Sequence, residues 1–391
     1  MNFPKKIIYL DNAATTFPKP REVLAEMIET YSSLGVSPGR GSYDLGLEAE
    51  AFVEGVRARL CEFFGGDDPR RVIFGYNATD ALNTLILGLV KPGCHVVSSR
   101  LEHNSVLRPL HHLLERGVIR LDLVAGDEKG FIDPADVDRA IRHETCLVVL
   151  THASNVLGTV QPAAEIGAVC RKKGVPLALD VTQSAGLVPI DMAGWHVSAL
   201  AFTGHKSLLG PTGIGGLVLA GERLDISTTR FGGTGVESRN LLHTQTYPHR
   251  LEAGTINLLG VAGLSASLRY IGREGMKNIY SREMDLFRRL YDGLKSNPRI
   301  RLYGTESMDN RLPLLSCNIE GTNPQDVSDI LDGDFGIATR AGLHCAPLVH
   351  EFMGSAAKGA VRFSIGPFNT LEEIDSACQA MNDIAEFRRS A

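Results

Sequence analysis

The chain has few cysteines, and none of them is spaced as a metal-binding or redox pair. An odd total without a Cys-x-x-Cys motif argues against a disulfide framework and against a structural zinc site. We therefore predict free thiols in a reducing, cytoplasmic environment, most of them buried as small apolar residues. The seven are Cys61, Cys94, Cys146, Cys170, Cys317, Cys345 and Cys378.

The sequence also lacks a long apolar run and an excess of positive charge. Its best uncharged stretch, 207–221, is interrupted by glycines and a proline and is too short to span a bilayer. The first six residues, MNFPKK, lack the apolar core of a secretory signal peptide. A net charge of -5 with interspersed signs offers no basic patch. These absences predict neither nucleic acid nor a membrane as a partner.

What is present is the composition of a globular α/β protein. A length of 391 residues exceeds one ordinary core, and 43% hydrophobic with 22% charged residues are globular values. Between about 70 and 220, apolar strands such as 72–74 alternate with amphipathic helices such as 80–90 and 104–116. Continuous apolar strands between helices predict a buried, mostly parallel sheet.

After about residue 262 the pattern changes. A long charged helical stretch at 263–296 precedes a strand at 314–319, and a strand at 361–365 carries Arg362 opposite its apolar face. The last helix opens with a capping box from Thr370 to Glu373. We predict a large α/β domain over 16–262 and a smaller α+β domain over 263–391, joined by an N-terminal segment, 1–15.

Lys206 is the first candidate for a reactive group. It follows the apolar run 199–202, and a glycine-rich turn then leads to a second apolar run, 217–219. A lysine held between buried strands is partly desolvated, which lowers the pKa of its amine and makes it a nucleophile able to form a Schiff base. The common alternative, a solvated lysine in a surface turn, fits poorly between two uncharged strands.

Polar residues follow the predicted strands at the sheet edge where ligands bind in such folds. Residues 77–79 stand between a strand and a helix start, where backbone N–H groups can hold a phosphate, although a plain helix cap is the alternative. His103, Asn155, Asp180 and Gln183 follow other strands. A lysine, a phosphate site, an imidazole, an amide and a buried carboxylate together are the set that pyridoxal phosphate requires.

From Tyr9–Thr16 (YLDNAATT) to Ile365–Thr370 (IGPFNT), the chain resembles the fold-type I, class V aminotransferase superfamily, and within it the cysteine desulfurase and selenocysteine lyase branch. The resemblance implies a large domain with a mostly parallel seven-stranded sheet, a smaller α+β domain and pyridoxal 5'-phosphate as cofactor. It also implies a homodimer with shared active sites.

The same resemblance assigns roles to individual residues. Lys206 would bind the cofactor aldehyde, Asp180 would pair with the pyridine nitrogen, and His103 would stack on the ring. Asn155 and Gln183 would contact the side of the ring that carries the 3-hydroxyl group. The phosphate would be surrounded by Ala78, Thr79, Thr203 and His205, with Thr255 reaching the phosphate of the other subunit. Arg362 would bind the substrate carboxylate, with Arg340, Asn12 and Ala13 on the substrate side.

The segment 340–347 (RAGLHCAP) contains the second reactive candidate, Cys345. Small residues and a proline predict a loop, and a thiol close to His344 and Arg340 is expected to have more thiolate character. The alternative is a buried, inert cysteine. The resembling desulfurases carry their persulfide-forming cysteine in a segment Arg-x-Gly-His-His-Cys-Ala, in which Leu343 here replaces the first histidine.

The resemblance predicts conversion of L-cysteine to L-alanine, with transfer of the sulfur to Cys345 and with His103 as an acid/base near the substrate thiol. Three alternatives remain open: a selenocysteine lyase, an aminotransferase or epimerase for another small amino acid, and a cofactor-binding protein without turnover. The sequence does not name the sulfur acceptor, so iron–sulfur cluster assembly, thio-cofactor synthesis and tRNA thiolation all stay possible destinations.

Overall fold

The computed structural model describes residues 7–39, 43–221 and 224–390, except the side chains of 387–390. Residues 1–6 of the predicted N-terminal segment lie outside the described residues. The strands are β1 Ile8–Tyr9, β2 Val72–Gly75, β3 His95–Ser99, β4 Arg120–Val124, β5 Thr145–Thr151, β6 Leu177–Asp180, β7 Ala199–Thr203, β8 Gly215–Leu219, β9 Ile300–Leu302, β10 Leu314–Ile319, β11 Ile337–Ala338, β12 Arg340–Gly342 and β13 Ala360–Ser364.

Eleven α-helices are found in the described part of the chain, and none of them is long and apolar enough to cross a membrane. They are α1 Arg21–Leu34, α2 Asp44–Phe63, α3 Ala78–Leu89, α4 Asn104–Glu115, α5 Pro134–Ala140, α6 Ala163–Lys173, α7 Leu258–Glu274, α8 Met276–Lys295, α9 Pro324–Phe335, α10 Pro347–Phe352 and α11 Leu371–Ser390.

The larger sheet has seven strands in the order β2-β8-β7-β6-β5-β3-β4. Only β8 runs antiparallel to its neighbours, and all other adjacent pairs are parallel. Alternate residues of β5 lie on opposite faces of the sheet and belong to different hydrophobic clusters. Val148 and Leu150 pack in one cluster, and Leu147 and Val149 pack in another. Because helices cover both faces, these strands need apolar residues on both sides. The predicted α/β class with a mostly parallel sheet is confirmed.

A smaller sheet of four antiparallel strands follows, in the order β12-β13-β10-β9. It shares a core with α8 and α11, in which Phe287, Leu315 and Met381 are fully buried. The predicted capping box of α11 is present, because the Glu373 N–H donates to Thr370 Oγ1 and the Thr370 N–H donates to a Glu373 carboxylate oxygen, both at 3.3 Å.

The charged stretch predicted as helical at 263–296 is helical over nearly all of its length, but it is not one helix. The structure has two helices there, since α7 starts earlier, at Leu258, and Gly275 separates it from α8 with a φ of 81°. A left-handed φ of this kind ends a helix and is available to glycine at little cost. The predicted domain boundary at 262–263 lies inside α7, which packs against α1. The division into two domains stays a prediction.

The fold brings distant segments to one sheet edge. Strands β2, β3, β5, β6 and β7 are parallel to one another, so their carboxyl ends share this edge. Helices α3 and α4 start there, directly after β2 and β3. The smaller sheet meets the N-terminal segment at the same place, where Asp11 forms a parallel bridge with Ser364 at the end of β13.

Candidate active site

A cavity of about 370 Å³ lies at this edge of the larger sheet. Its volume is in the range of small-molecule sites. Twelve of the predicted site residues line it, namely Ala13, Ala78, Thr79, His103, Asn155, Gln183, Thr203, His205, Lys206, Arg340, Cys345 and Arg362. Three others do not line it: Asn12, Asp180 and Thr255. Most of the residues that line this cavity were therefore predicted from the sequence.

Lys206 follows β7 directly and its amine makes no hydrogen bond to the described residues. Burial, together with the positive charge of Arg362, lowers the pKa of Lys206 to about 8, against the opposing effect of Asp180. The predicted desolvated lysine is confirmed. At neutral pH a larger share of this amine is uncharged and nucleophilic than for an ordinary lysine.

The peptide that precedes this lysine is fixed by three donors. The His205 carbonyl oxygen accepts from Thr15 Oγ1 at 3.0 Å, from the Thr16 N–H at 3.1 Å and from Lys19 Nζ at 2.5 Å. All three donors lie close together in the chain, within residues 15–19. The end of the YLDNAATT motif, together with Lys19, therefore holds the backbone from which the Lys206 side chain extends, a role that the sequence did not reveal.

One end of the cavity has polar atoms without partners. Thr203 Oγ1 and His205 Nδ1 are buried and make no hydrogen bond within the described part of the chain. Burial lowers the pKa of His205 to about 4, so this ring is neutral and can carry a donor hydrogen on Nδ1. Buried polar atoms normally find a partner. A phosphate bound here, beside the start of α3, would supply one to each and fits the predicted cofactor.

Glycine at 215 permits the close approach of strand β8 to this end of the cavity. A Cβ added to Gly215 would lie 2.5 Å from the Phe202 carbonyl oxygen and 2.8 Å from Asn77 Cα, too close for any side chain. Asn77 itself caps α3 by accepting from the Asp80 N–H at 3.0 Å. The plain-cap interpretation of residues 77–79 is therefore correct, and it leaves a phosphate site at the same helix start possible.

Asp180 ends β6 and is buried, with its Oδ1 accepting from the Thr182 N–H at 2.9 Å. Among the described residues no side-chain cation lies within ion-pair distance of it. The cationic partner that a buried carboxylate requires is thus absent from the described side chains, which fits the ring nitrogen of the predicted cofactor.

Two side-chain amides hold the walls of the cavity in place by hydrogen bonds. Asn155 donates to the His344 carbonyl oxygen at 2.7 Å, and Gln183 donates to the Ala13 carbonyl oxygen at 3.1 Å. Asn12 lies behind the wall, where its amide donates to the Ser364 carbonyl oxygen at 3.0 Å. These contacts tie the N-terminal segment and the Cys345 loop to the sheet edge, and they place Asn12 in a structural position rather than in the cavity.

Asp11 joins the two arginines of the site and was missed by the sequence reasoning. Its Oδ1 accepts from Arg362 Nη2 at 2.9 Å and its Oδ2 from Arg340 Nε at 2.9 Å. Arg362 also donates through Nη1 to the Asn155 carbonyl oxygen at 2.9 Å, while its buried Nε has no partner among the described residues. The guanidinium is therefore fixed in orientation and still has donor capacity for a carboxylate ligand.

We predict that Asp11→Asn lowers the free energy of unfolding by about 3 kcal/mol, because the buried Arg362 would lose its counter-charge. The midpoint of urea unfolding of the full chain measures this. Glu22→Gln is the matched control, since it removes an ion pair to Arg273 whose side chains are 61% and 57% exposed. Its expected effect is below about 0.5 kcal/mol. Equal shifts for the two variants would contradict the structural role of Asp11.

Cys345 lies in the connection between β12 and α10, as predicted, and is the one exposed cysteine of the seven. His344 and Cys345 both have left-handed backbones, with φ of 50° and 56°. The Cys345 carbonyl oxygen accepts from the Asn104 N–H at 2.7 Å, in addition to the bond between Asn155 and the preceding carbonyl. The loop is thus bound at two consecutive peptides, and the thiol side of Cys345 remains accessible.

His344 does not supply a positive charge beside the Cys345 thiol. Its ring is buried and contacts the Arg340 carbonyl oxygen at 3.2 Å and His350 Nε2 at 3.3 Å. Burial and the charge of Arg362 lower the pKa of His344 to about 3, so the ring is neutral. Arg362, on β13, interacts electrostatically with Cys345.

Four of the other six cysteines, Cys61, Cys170, Cys317 and Cys378, are buried as small core residues. Burial raises the pKa of the Cys170 and Cys317 thiols to about 12. Cys94 and Cys146 are only partly buried, and none of the seven forms a disulfide. The prediction of free thiols with one exposed exception is confirmed.

The chain is similar to known proteins of one family. The family model for aminotransferase class-V matches residues 8–376. A probable cysteine desulfurase from Methanothermobacter thermautotrophicus is 35% identical over 383 residues, which cover 97% of this chain and 94% of the relative. A probable cysteine desulfurase from Synechocystis is 33% identical, with coverages of 97% and 91%.

Solved structures show the same fold. The apo structure of a cysteine desulfurase from Thermococcus onnurineus superposes with a TM-score of 0.90 at 32% identity, covering 97% of this chain and 95% of that one. A cysteine desulfurase from Escherichia coli in an S-sulfonic acid form gives a TM-score of 0.86 at 26% identity, with the same coverages. By sequence and by fold, the protein belongs to the class V aminotransferase family and, within it, to the cysteine desulfurase group.

Proposed function

We propose that the protein is a pyridoxal 5'-phosphate-dependent cysteine desulfurase that converts L-cysteine to L-alanine and transfers the sulfur atom to Cys345. One observation carries this proposal: the partly desolvated Lys206 and the exposed Cys345 line the same cavity, together with Arg362. A cofactor lysine and a carboxylate-binding arginine alone would suit many amino acid reactions. An accessible thiol in the same space is what sulfur transfer requires.

The cofactor would be held by polar groups that have no side-chain partner among the described residues. Lys206 would hold its aldehyde carbon and Asp180 its ring nitrogen, while Thr203 and His205 would join the start of α3 at its phosphate. His103, which lines the cavity, would lie against the ring. Pyridoxal phosphate supplies an electron-withdrawing ring in conjugation with the substrate amine, which makes the α-proton acidic.

The protein's own residues would then act on the substrate. Arg362 would hold the carboxylate of L-cysteine in the orientation that Asp11 gives it, and Lys206 would move the α-proton. The Cys345 thiolate would attack the substrate sulfur, so that an S–S bond forms while the bond between sulfur and the β-carbon breaks. The β-carbon keeps that electron pair and takes a proton, for which His103 is the proposed donor. The products are alanine and a persulfide on Cys345, without net oxidation.

Arg362→Lys is expected to raise KM for L-cysteine at least about 10-fold and to change kcat less, because an ammonium cannot reproduce a bidentate contact to a carboxylate. Steady-state kinetics of alanine formation measures both constants. Arg288→Lys is the control, because Arg288 forms an exposed ion pair with Asp285. A rise of KM in the control as large as in the variant would count against the assignment.

The pKa of Lys206 gives a pH prediction for the cofactor-free protein. Its amine loses its proton near pH 8 instead of above pH 10, so covalent attachment of pyridoxal phosphate should accelerate up to about pH 8 and then level off. Borohydride trapping at a series of pH values, followed by mass spectrometry, measures the attached fraction. Lys206→Ala is the negative control, in which no cofactor should be attached at position 206. An acceleration that continues to pH 10 would contradict the desolvated environment.

We also propose that the active enzyme is a homodimer in a reducing, cytoplasmic compartment. Thr255 lies outside the cavity of Lys206 and lines separate spaces beside Glu252, so a contact of Thr255 with a cofactor phosphate requires a second chain. Light scattering should give twice the chain mass of 42.3 kDa. A protein that is monomeric while active would contradict this part of the proposal.

The proposed reaction is tested by incubating the purified protein and pyridoxal phosphate with L-cysteine and a thiol reductant. Alanine and sulfide should form in equal amounts. A parallel incubation with L-selenocysteine would show which chalcogen is preferred. Amino-group transfer to a 2-oxo acid, or racemisation of the substrate without sulfide, would instead indicate one of the other class V reactions.

A further inference from the structure

Three side chains at the starts of helices α3 and α4 form a continuous hydrogen-bonded chain. Thr79 Oγ1 lies 2.7 Å from Ser105 Oγ, and Ser105 Oγ lies 2.8 Å from His103 Nδ1. The Ser105 N–H donates to the same His103 Nδ1 at 3.0 Å. All three residues line the cavity of Lys206. Ser105 therefore stands between the predicted phosphate site and the imidazole.

The backbone N–H of Ser105 determines the direction of these hydrogen bonds, because it can only donate. A backbone N–H has no acceptor capacity, so His103 Nδ1 must be the acceptor and carries no hydrogen. The neutral ring consequently has its hydrogen on Nε2. The Ser105 hydroxyl can donate to Nδ1 while its oxygen accepts from Thr79. A protonated ring would place a second N–H against the Ser105 N–H, so the arrangement favours the neutral ring.

The charged groups around His103 do not reverse this preference. Asp180 on β6 favours the protonated ring, whereas Lys206, Arg362 on β13 and Arg108 on α4 oppose it. Burial is the largest influence and also opposes protonation, so the pKa of His103 is lowered. The neutral ring is therefore the resting form at neutral pH, with a hydrogen on Nε2 available to a group in the cavity.

We propose that Ser105 is a positioning residue of this enzyme, which fixes the Nε2–H form of His103 and couples that ring to Thr79 at the phosphate site. The proposal rests on the proposed function, since it gives His103 and Thr79 their ligands. The hydroxyls of Thr79 and Ser105 link the phosphate site to the His103 imidazole that transfers protons. A change in the hydrogen bonding of one of these groups therefore alters that of the other.

Ser105→Ala tests the proposal because it removes the hydroxyl and keeps the backbone N–H, and alanine is well tolerated in a helix. Loss of a donor to Nδ1 makes protonation of the ring easier and raises the pKa of His103. The acidic limb of the kcat/KM profile for L-cysteine should therefore move to higher pH by about half a unit to one unit. Ser105→Thr, which keeps a hydroxyl, should restore the parent profile.

Cofactor affinity provides a readout that does not depend on turnover. Equilibrium dialysis of pyridoxal phosphate should show a dissociation constant about 3- to 10-fold higher for Ser105→Ala than for the parent. Thr79→Val should weaken binding too, and the double variant should be no weaker than the weaker single variant, because the two hydroxyls act as one chain. Ser98→Ala is the control, since it removes a buried hydroxyl that donates to the Val149 carbonyl oxygen at 2.8 Å, outside the cavity.

Two results would overturn the role of Ser105: a parent-like pH profile and cofactor affinity in Ser105→Ala, or effects of the Thr79 and Ser105 substitutions that multiply independently. A merely structural serine would lower stability without moving the acidic limb. A failure of the proposed function itself is recognised separately, because the parent protein would then bind no pyridoxal phosphate or form no alanine.

Discussion

Cys345→Ala is expected to lower sulfide formation from L-cysteine at least about 10³-fold and to leave the binding of pyridoxal phosphate unchanged. The reason is that Cys345 is the one exposed thiol of the seven and lines the cavity of Lys206. Its loop is held by the backbone bonds at residues 344 and 345, which alanine keeps. The substitution therefore removes the sulfur acceptor without removing the site around it.

Sulfide released in the presence of a thiol reductant and cofactor absorbance are measured side by side. Cys146→Ala is the matched control, because Cys146 is a partly buried cysteine at the other end of β5, away from the carboxyl edge. It should keep the parent rate. A Cys345→Ala variant that released sulfide as fast as the parent would exclude Cys345 as the nucleophile and would favour another class V reaction or a different acceptor.

Lys206→Ala is expected to abolish covalent attachment of the cofactor and to lower alanine formation by about 10⁴-fold or more, since both the anchor and the proposed base disappear. The stability of the cofactor-free protein should not fall. The Lys206 amine makes no hydrogen bond to the described residues and its burial already disfavours the charged form. Removal of such a group leaves no partner unpaired.

Alanine formation, cofactor attachment after borohydride reduction and the urea midpoint of the cofactor-free chain together test this prediction. Lys91→Ala, at an exposed lysine, is the control and should match the parent in all three. A small primary amine added to Lys206→Ala should restore part of the activity, because it can take over the movement of the proton. Undiminished alanine formation by the variant would exclude Lys206 as the central base.

Helices and strands were predicted well where the pattern of apolar residues along the chain agrees with their burial in the structure. The apolar runs of β5 and β10 lie within single strands, and the starts of α3 and α4 are set by residues next to them in the chain. Gly275 shows the limit of this reasoning. Helical periodicity continues on both sides of it, and only the left-handed backbone at that position reveals the break.

The parts of the site that the sequence did not reveal depend on contacts across the chain. Asp11 meets Arg362 from 351 positions away, a pairing that no local pattern encodes. Glu102 is similar: its Oε1 accepts from Ser99 Oγ at 2.5 Å and from the Thr151 N–H at 2.9 Å, and so joins the ends of β3 and β5. Burial raises the pKa of Glu102 to about 8, which no neighbour in the sequence would suggest.

His344 illustrates the opposite error, in which proximity in sequence was taken as proximity in space. The residue precedes Cys345, but its ring is directed to His350 and the Arg340 carbonyl. The cation that interacts with the thiol, Arg362, is 17 positions further along the chain and belongs to β13.

The proposed transfer of sulfur to Cys345 can be tested by locating the sulfur atom after the reaction. The parent protein with pyridoxal phosphate is given a limited amount of L-cysteine without reductant, alkylated, digested and analysed by peptide mass spectrometry. We expect one additional sulfur atom on the peptide that contains Cys345 and alanine in an amount equal to that sulfur. Alanine formed without sulfur on Cys345, or sulfur carried by any of the other six cysteines instead, would contradict the proposed transfer.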